Sequence, residues 1–399
     1  MYVLFVTDRA YLPQAGGGSQ RSADALLRWL TTRGHRCELV AALAPGPWQL
    51  SARLVHTASR RRLHLPPDTG NSYPVHRAAA WHLGALLEGL LARGRPDVII
   101  ADSAAALGLV LSLPEARAVP VVWRVADLAS IDRSPRLAQS ERVLLVANSE
   151  FCARRAAERV SANVRTVYPI VETERVIAPP TAPAYVTLVS PIRSKGLELT
   201  LAIARLMPTQ PFLLQEGWRM NDDDWKALRA RVAPQRNVTL RRFVRDVRPV
   251  YANTRLLLVP SQCEEAFGRV AIEAQANGIP VFATRVGGLL ESVGDGGLLF
   301  DLTDPPSTWA AALAAVLGDG AQHAALAERA RKNAARPEFA AATIATRFEG
   351  IIEAHVADWR ASRTGPAGAG PAAAPELRAS LPLAPGTPAT ARETGASHQ

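Results

Sequence analysis

Two glutamates with seven residues between them have the spacing best suited to chemistry in this sequence. Glu265 precedes a predicted helix over 267–277, and Glu273 falls about six residues inside it, roughly 9 Å along the axis. A helix N-terminus favours a diphosphate, and a carboxylate on either side can accept charge-assisted hydrogen bonds from sugar and ribose hydroxyls. By spacing alone, two solvated glutamates on a helix rim explain the pattern better.

A glycine run near the amino terminus is suited to contact an anion. Gly16, Gly17 and Gly18 lie between a predicted strand over 2–7 and a predicted helix over 20–33. Glycines let backbone N–H groups approach a phosphate. The run is not G-x-G-x-x-G, so a plain loop explains it equally well. The second predicted strand ends without the acidic residue that holds a ribose in nicotinamide-binding domains, which disfavours a dehydrogenase.

Metal chemistry is not indicated by the remaining polar residues. Asn221 precedes three aspartates and a predicted helix over 223–232, so an N-cap with an acidic first turn explains the cluster better than a metal site does. The eight histidines show no H-E-x-x-H spacing, and the three cysteines form no C-x-x-C pair. A disulfide scaffold and a cysteine-rich zinc module are therefore excluded.

The elements around these residues alternate between short apolar strands and helices. This alternation predicts an α/β fold with parallel sheets. A proline-dense segment over 177–183 divides the pattern into two Rossmann-like domains, 1–178 and 179–337. An amphipathic helix over 338–363 closes the fold. The segment 364–399 holds six prolines and five glycines and is expected to be disordered.

The carboxy-terminal half resembles the donor domain of retaining GT-B glycosyltransferases of family 4, group 1. The resemblance rests on P-S-x-x-x-E-x-F-G-x-x-x-x-E-A from Pro260, followed by N-G-I-P-V-F-A-T and G-G-L-x-E. V-S-P-I-R-S-K-G at 189–196, N-S-E-F at 148–151 and the loop G-G-G-S-Q-R-S-A at 16–23 extend it over about residues 1–360. It implies a GT-B architecture, with two Rossmann-like parallel-sheet domains facing each other across a cleft.

The resemblance also implies roles for individual residues. Glu265 contacts the hydroxyls of the donor sugar and Glu273 the nucleotide ribose. Lys195 pairs with the diphosphate as the leaving group develops charge. The backbone amides of three residues approach the sugar and phosphate: Phe267, Gly268 and Arg269. An acceptor-side loop is formed by three glycines: Gly16, Gly17 and Gly18. A nucleoside-diphosphate sugar is the donor substrate, no metal or other cofactor is needed, and the anomeric configuration is retained.

Several positions depart from the family pattern. Ser190-Pro191 replaces the usual Gly-Arg, so Arg193 is the substitute diphosphate cation, and Gly217 is what remains of a Gly-x-Gly. The family's acceptor-side histidines are absent. Asp102, Ser103 and Asp127 are the acceptor-side candidates in their place. These losses leave an alternative open: a catalytically silent nucleotide-sugar-binding or scaffold protein on the same fold.

Charge gives less information than its size suggests. The formal net charge is +10 and the pI about 10.2, which are values typical of proteins that bind nucleic acid or anionic membranes. However, only three of the 46 basic residues are lysine, which indicates the coding bias of a GC-rich genome, and no nucleic acid partner is expected. A basic segment over 53–63 is suited to rest on anionic lipid, although a solvated loop explains it better.

Location and acceptor are the broadest expectations. The first residues read as a strand rather than a signal peptide, and the longest apolar stretch, 103–114, is too short to span a bilayer. A cytoplasmic protein is expected, with peripheral membrane association left open. The acceptor is unidentified: a saccharide, a lipid-linked molecule or a small molecule.

Overall fold

The computed structural model describes residues 1–44, 67–134, 141–160 and 164–364. In the first half of these residues, seven strands pair in parallel in the order β3-β2-β1-β4-β5-β6-β7. They are β1 (Tyr2–Ala10), β2 (Arg36–Ala42), β3 (Val75–Ala78), β4 (Val98–Ala101), β5 (Val121–Val125), β6 (Val143–Ala147) and β7 (Val164–Thr166). Apolar runs predict all of these strands except β3, where His76 and Arg77 interrupt the pattern.

Helices cover both faces of this sheet. They are α1 (Gly18–Thr32), α2 (Leu83–Arg93), α3 (Ala104–Ser112), α4 (Leu128–Asp132) and α5 (Glu150–Arg159). The side chains of Ser103, Asp127 and Ser149 accept hydrogen bonds from backbone amides and cap α3, α4 and α5. Each capping residue lies just beyond a strand, so the caps set where these helices begin at the carboxyl edge of the sheet.

The second half of the described residues repeats the architecture. Six parallel strands run in the order β10-β9-β8-β11-β12-β13. The strands are β8 (Tyr185–Val189), β9 (Phe212–Gln215), β10 (Val238–Arg241), β11 (Thr254–Val259), β12 (Val281–Thr284) and β13 (Gly297–Phe300). The helices are α6 (Leu197–Leu206), α7 (Asp222–Val232), α8 (Arg248–Asn253), α9 (Arg269–Ala276), α10 (Leu289–Val293), α11 (Pro306–Gly318) and α12 (Gly320–Ala334). The two parallel sheets confirm the predicted α/β class.

The last described helix, α13 (Ala341–Thr364), returns to the first sheet. Ile344, Phe348 and Ile352, four residues apart, pack in one cluster with Val3 and Phe5 of β1. Polar contacts reinforce this docking: Glu349 accepts a hydrogen bond from Trp29 Nε1 at 3.3 Å and lies 2.9 Å from His35 Nε2. The chain therefore crosses from the second sheet back to the first.

Two sequence expectations are decided locally. The N-cap prediction at Asn221 is confirmed, because its side chain accepts a hydrogen bond from the Asp224 amide at 2.8 Å. Helix α9 begins at Arg269 rather than at 267, because Gly268 adopts a left-handed conformation with φ +91° that the helix cannot include. The basic segment over 53–63 and the tail over 365–399 lie outside the described residues.

Among the described residues, no helix combines the length and the apolar character required to cross a bilayer.

Replacing Glu38 with Gln is expected to weaken the sheet in a pH-dependent way. Glu38 of β2 accepts hydrogen bonds from His76 of β3 at 2.9 Å and from Arg36 Nη2 at 2.6 Å. The His76 bond is the largest influence, and with Arg36 it outweighs burial and lowers the pKa of the Glu38 carboxyl. A lowered carboxyl pKa contributes stability above the unfolded-state pKa, which is lost as pH falls through the folded-state pKa.

The expected loss at pH 7 is about 1–2 kcal/mol in the free energy of unfolding, measured by urea denaturation. The difference between E38Q and the parent should shrink as pH falls below about 4.3, the ordinary pKa of a glutamate. The exposed Glu88 of α2 provides the matched control, since Glu88→Gln should change nothing. A pH-independent deficit in E38Q would contradict this account.

Candidate functional site

A cavity of about 240 Å³ lies between the two domains, at the carboxyl edges of both sheets. Residues that follow β5, β6, β8 and β11 line it, including Ala126, Asn148, Ser190 and Ser261. In parallel α/β sheets a ligand binds outside the carboxyl ends of the strands, where the strand order reverses. In the second sheet that point lies between β8 and β11, which are adjacent strands.

A lysine–glutamate pair dominates the wall formed by the second domain. Lys195 Nζ lies 2.5 Å from Glu265 Oε1, and Ser261 Oγ donates to the same oxygen at 2.5 Å. The Lys195 side chain keeps 28% of its exposure. Both members of the pair line the cavity. The arrangement holds one cation and one carboxylate side by side, facing the other domain.

Backbone contacts fix the segment that carries Glu265. The Gln262 amide donates to the Ser194 carbonyl at 2.8 Å, which joins the turn after β11 to the turn after β8. The Gly288 amide donates to the Glu265 carbonyl, also at 2.8 Å. Gly287 has φ +57°, and a Cβ there would lie 2.3 Å from the Glu265 carbonyl oxygen. Glycine is therefore required for this close approach.

The N-terminus of α9 opens on the same wall. Phe267, Gly268 and Arg269 line the cavity, and no side chain caps the helix. An uncapped first turn leaves backbone N–H groups available to an anion. Arg269 donates to the Ile170 carbonyl and lies 3.4 Å from Glu273 Oε1. Burial lowers the pKa of the Arg269 guanidinium, although Glu273 opposes this shift.

Glu273 takes a different position from Glu265. It is buried as the fifth residue of α9, accepts a hydrogen bond from Tyr251 Oη at 2.7 Å, and does not line the cavity. Burial, followed by the Glu273 charge, raises the pKa of Tyr251 well above its ordinary value. In this structure Glu273 orients Arg269 and Tyr251, and its predicted contact with a ribose stays a prediction.

The departures from the family pattern cluster beside the pair. Ser190 lines the cavity with φ +62°, a conformation that glycine adopts at lower cost. Gly217 packs against Ser190 and does not itself line the cavity, whereas the next residue, Trp218, does and is 45% exposed. Arg193 is exposed in the turn before Lys195 and does not line the cavity.

The first domain contributes the opposite wall. Gly18, Ser19, Arg124 and Asn148 line it, whereas Gly16 and Gly17 do not. A Cβ on Gly18 would lie 2.9 Å from Arg269 Cδ, so glycine lets α1 approach the second domain closely. Of the predicted glycine loop, only its last residue therefore faces the cavity.

The three acceptor-side candidates do not line the cavity. Their side chains form ion pairs and helix caps within the first domain instead. Asp102 is buried and forms an ion pair with Arg124 at 2.6 Å. Burial raises the pKa of the Asp102 carboxyl, and Arg124 opposes the rise. Ser103 caps α3, and Asp127 caps α4 and pairs with Arg9 at 2.6 Å.

The residues missed by sequence reasoning include Ser19, Arg124, Asn148, Trp218 and Ser261. Signals existed for three of them: Asn148 and Ser261 stand in the motifs N-S-E-F and P-S-x-x-x-E, and an arginine within the apolar strand V-V-W-R-V needs a buried partner. Nothing in the sequence alone shows that this partner is Asp102, which lies 22 residues earlier.

Two family models match the chain in succession. Glycosyltransferase Family 4 matches residues 16–175, and Glycosyl transferases group 1 matches residues 183–319. Together the two matches cover about three quarters of the chain. The gap between them falls where the proline-dense segment was found.

Curated relatives match over a shorter stretch. The D-inositol 3-phosphate glycosyltransferase of Corynebacterium urealyticum is 48% identical over 89 residues, which is 22% of this chain and 20% of the relative. That of Salinispora arenicola is 45% identical over 91 residues, again 22% and 20%. The matched stretch thus spans about a fifth of the length of these relatives.

Solved structures match over almost the whole fold. Anabaena Alr3699/HepE, in complex with UDP-glucose, has a TM-score of 0.68 at 19% identity, covering 89% of this chain and 100% of that one. Sucrose-phosphate synthase from Thermosynechococcus elongatus has a TM-score of 0.69 at 17% identity, covering 89% and 99%. At these identities the likeness shows the fold. The chain has the GT-B fold and belongs to group 1 of glycosyltransferase family 4.

Proposed function

We propose that this protein transfers a sugar from a nucleoside-diphosphate sugar to a hydroxyl of an acceptor, with retention at the anomeric carbon. One observation carries the proposal: the Lys195–Glu265 pair lies beside the uncapped N-terminus of α9, on one wall of an interdomain cavity. A cation, a carboxylate and free backbone amides are the groups that a sugar diphosphate requires.

The leaving diphosphate is stabilised by Lys195 and α9. A lysine ammonium has three donors, and the contact with Glu265 uses one of them. The first-turn amides of α9 add a favourable dipole. As the bond to the sugar breaks, negative charge grows on the diphosphate, and groups already aimed at it lower the barrier.

The donor sugar is oriented by Glu265. Its carboxylate is held by Ser261 and Lys195, so it accepts hydrogen bonds from sugar hydroxyls without first having to be ordered. Glu273 does not line the cavity and forms an ion pair with Arg269, which does. It is proposed to reach the ribose when the donor is bound. Both roles follow the family resemblance.

The transfer is proposed to occur on one face of the sugar. Among the described residues that line the cavity, Glu265 is the only carboxylate, and it is already paired with Lys195. The acceptor oxygen forms its bond to C1 on the side of the leaving group. The C1–oxygen bond breaks with its electron pair passing to the diphosphate, and the acceptor proton passes to a phosphate oxygen of that leaving group.

Relatives support the donor class. The Anabaena protein of the same fold is seen with UDP-glucose, and the curated relatives are named as glycosyltransferases. The acceptor is not carried over from them, because the matched stretch spans about a fifth of their length.

Thermal unfolding with a panel of UDP-, GDP- and ADP-sugars tests the donor. At a ligand concentration of 100 times Kd, the matching donor should add about 2.7 kcal/mol of apparent stability. The same donor should be slowly hydrolysed or transferred, with release of the nucleoside diphosphate, and NMR should show the original anomeric configuration in the product. Lys195 and the α9 terminus supply the positive charge, so EDTA should leave turnover unchanged.

Stabilisation by a nucleotide sugar without turnover on any acceptor would favour the catalytically silent alternative. The absence of stabilisation and hydrolysis across the whole panel would overturn the proposal. An inverted product would contradict the one-face transfer while leaving the donor assignment intact.

A further inference from the structure

Two polar side chains of the first domain face the cavity from the same side of its sheet. Arg124 of β5 lies in register with Val146 of β6. Asn148 follows Val146 by two residues, and side chains two residues apart in a strand share a face. Arg124 and Asn148 both line the cavity, and their relative exposures are 7% and 8%.

Asn148 has one committed and one uncommitted polar atom. Its Nδ2 donates to the Ala126 carbonyl at 3.0 Å, and because a carbonyl can only accept, this bond fixes which way the amide points. The Oδ1 atom is buried and receives no hydrogen bond from any described residue. A buried acceptor without a partner is costly, so this oxygen calls for a donor that enters the cavity.

Arg124 has an uncommitted donor that complements this acceptor. Its Nε donates to Asp102 Oδ1 at 2.8 Å, and its Nη2 donates to Ser19 Oγ at 2.9 Å. Its Nη1 makes no hydrogen bond to another described residue. The ion pair with Asp102 also balances the guanidinium charge locally, so Arg124 offers a donor without a strong net field.

We propose that Arg124 Nη1 and Asn148 Oδ1 together bind an uncharged hydroxyl group of the acceptor. This inference rests on the proposed function and adds the chemical class of the acceptor group that the first-domain wall of the cavity recognises. A hydroxyl both accepts and donates, so a single group satisfies the arginine donor and the amide oxygen.

An anionic group fits this subsite poorly. A sulfate or carboxylate oxygen has only lone pairs to offer Asn148 Oδ1, and the charge of Arg124 is already matched by Asp102. The subsite therefore selects a polyol or saccharide hydroxyl over a charged substituent at this point of the cavity.

Binding of neutral polyols to the full chain tests the subsite. Glucose and myo-inositol are titrated by saturation-transfer NMR, with sulfate, which carries no O–H at neutral pH, as the anionic competitor. We expect at least one polyol to bind, Asn148→Ala to weaken it about tenfold, equal to 1.4 kcal/mol, and sulfate not to compete. Asn253 provides the matched control: its Nδ2 also donates to a backbone carbonyl, Pro249 at 2.7 Å, but it does not line the cavity. Asn253→Ala should bind as the parent does.

A series of monodeoxy glucoses keeps the test decisive if Asn148→Ala does not fold. Loss of one particular hydroxyl should weaken binding to the parent about tenfold, and a flat series would overturn the subsite. It is also overturned if no polyol binds the parent, if Asn148→Ala binds as the parent does, or if sulfate displaces the polyol. The donor panel separates the two proposals: donor stabilisation with failed polyol binding refutes the subsite alone, whereas polyol binding without any donor refutes the proposed function.

Discussion

Replacing Lys195 with Ala is expected to lower transfer, or donor hydrolysis, by about 100- to 1,000-fold while the fold persists. That range is typical for loss of one group aimed at charge that develops in the transition state. Lys195 is placed for this role because its Nζ lies 2.5 Å from Glu265 and beside the open N-terminus of α9. The measurement is kcat with the donor identified by thermal shift, with circular dichroism to confirm folding.

Lysine is scarce in this chain, which makes the control simple. Lys226 is exposed on α7, and Lys226→Ala should leave kcat unchanged. Glu265→Gln keeps the size of the side chain and removes its charge, and it should cost a similar factor. Because the two side chains are in contact, the double variant K195A/E265Q should lose far less than the product of the single losses. Full activity in K195A would refute the placement of the diphosphate.

Replacing Gly287 with Ala is expected to destabilise the second domain by about 2–4 kcal/mol and to displace Glu265. Two costs combine: a left-handed conformation for an L-residue, and overpacking against backbone. The added Cβ would lie 2.3 Å from the Glu265 carbonyl oxygen and 2.7 Å from its amide nitrogen. Neither atom belongs to a flexible side chain, so the segment that carries Glu265 must move. Urea denaturation measures the first effect, and kcat measures the second.

Gly350 provides the opposite outcome within the same protein. It lies inside α13, and a Cβ there would meet nothing within 4 Å. Gly350→Ala should therefore raise stability by about 0.5–1 kcal/mol, because alanine favours the helix more than glycine does. Equal stability of G287A and the parent would contradict the requirement for glycine beside Glu265.

Elements built from unbroken apolar runs were predictable from the sequence. Strands β4 and β6 have the predicted bounds, since Val98–Ala101 and Val143–Ala147 are buried on both faces and read as continuous apolar segments. Strand β3 was missed, because the pairing of His76 with Glu38 makes a polar residue tolerable inside the sheet. The helices α4, α8 and α10, of five or six residues, were missed because they are too short to show a helical period.

The cavity wall formed by the second domain was predicted better than the wall formed by the first domain. Glu265, Lys195 and the residues around Gly268 belong to local motifs, and the structure brings them to one cavity. Their roles remain predictions. For the first domain, Asp102 and Asp127 were chosen by position along the strands, and the structure shows them in ion pairs with Arg124 and Arg9.

The sequence by itself determined that two parallel α/β domains follow one another and which segment carries the lysine and the two glutamates, because periodicity and motifs are local properties. Only the tertiary structure decided which side chains meet. It separated Glu265, which faces the cavity, from Glu273, which lies against Tyr251. It also paired Arg124 with Asp102 and left Asn148 Oδ1 without a hydrogen bond from any described residue. Such pairings depend on sheet register and on how closely the domains approach, and neither is encoded in any single stretch of residues.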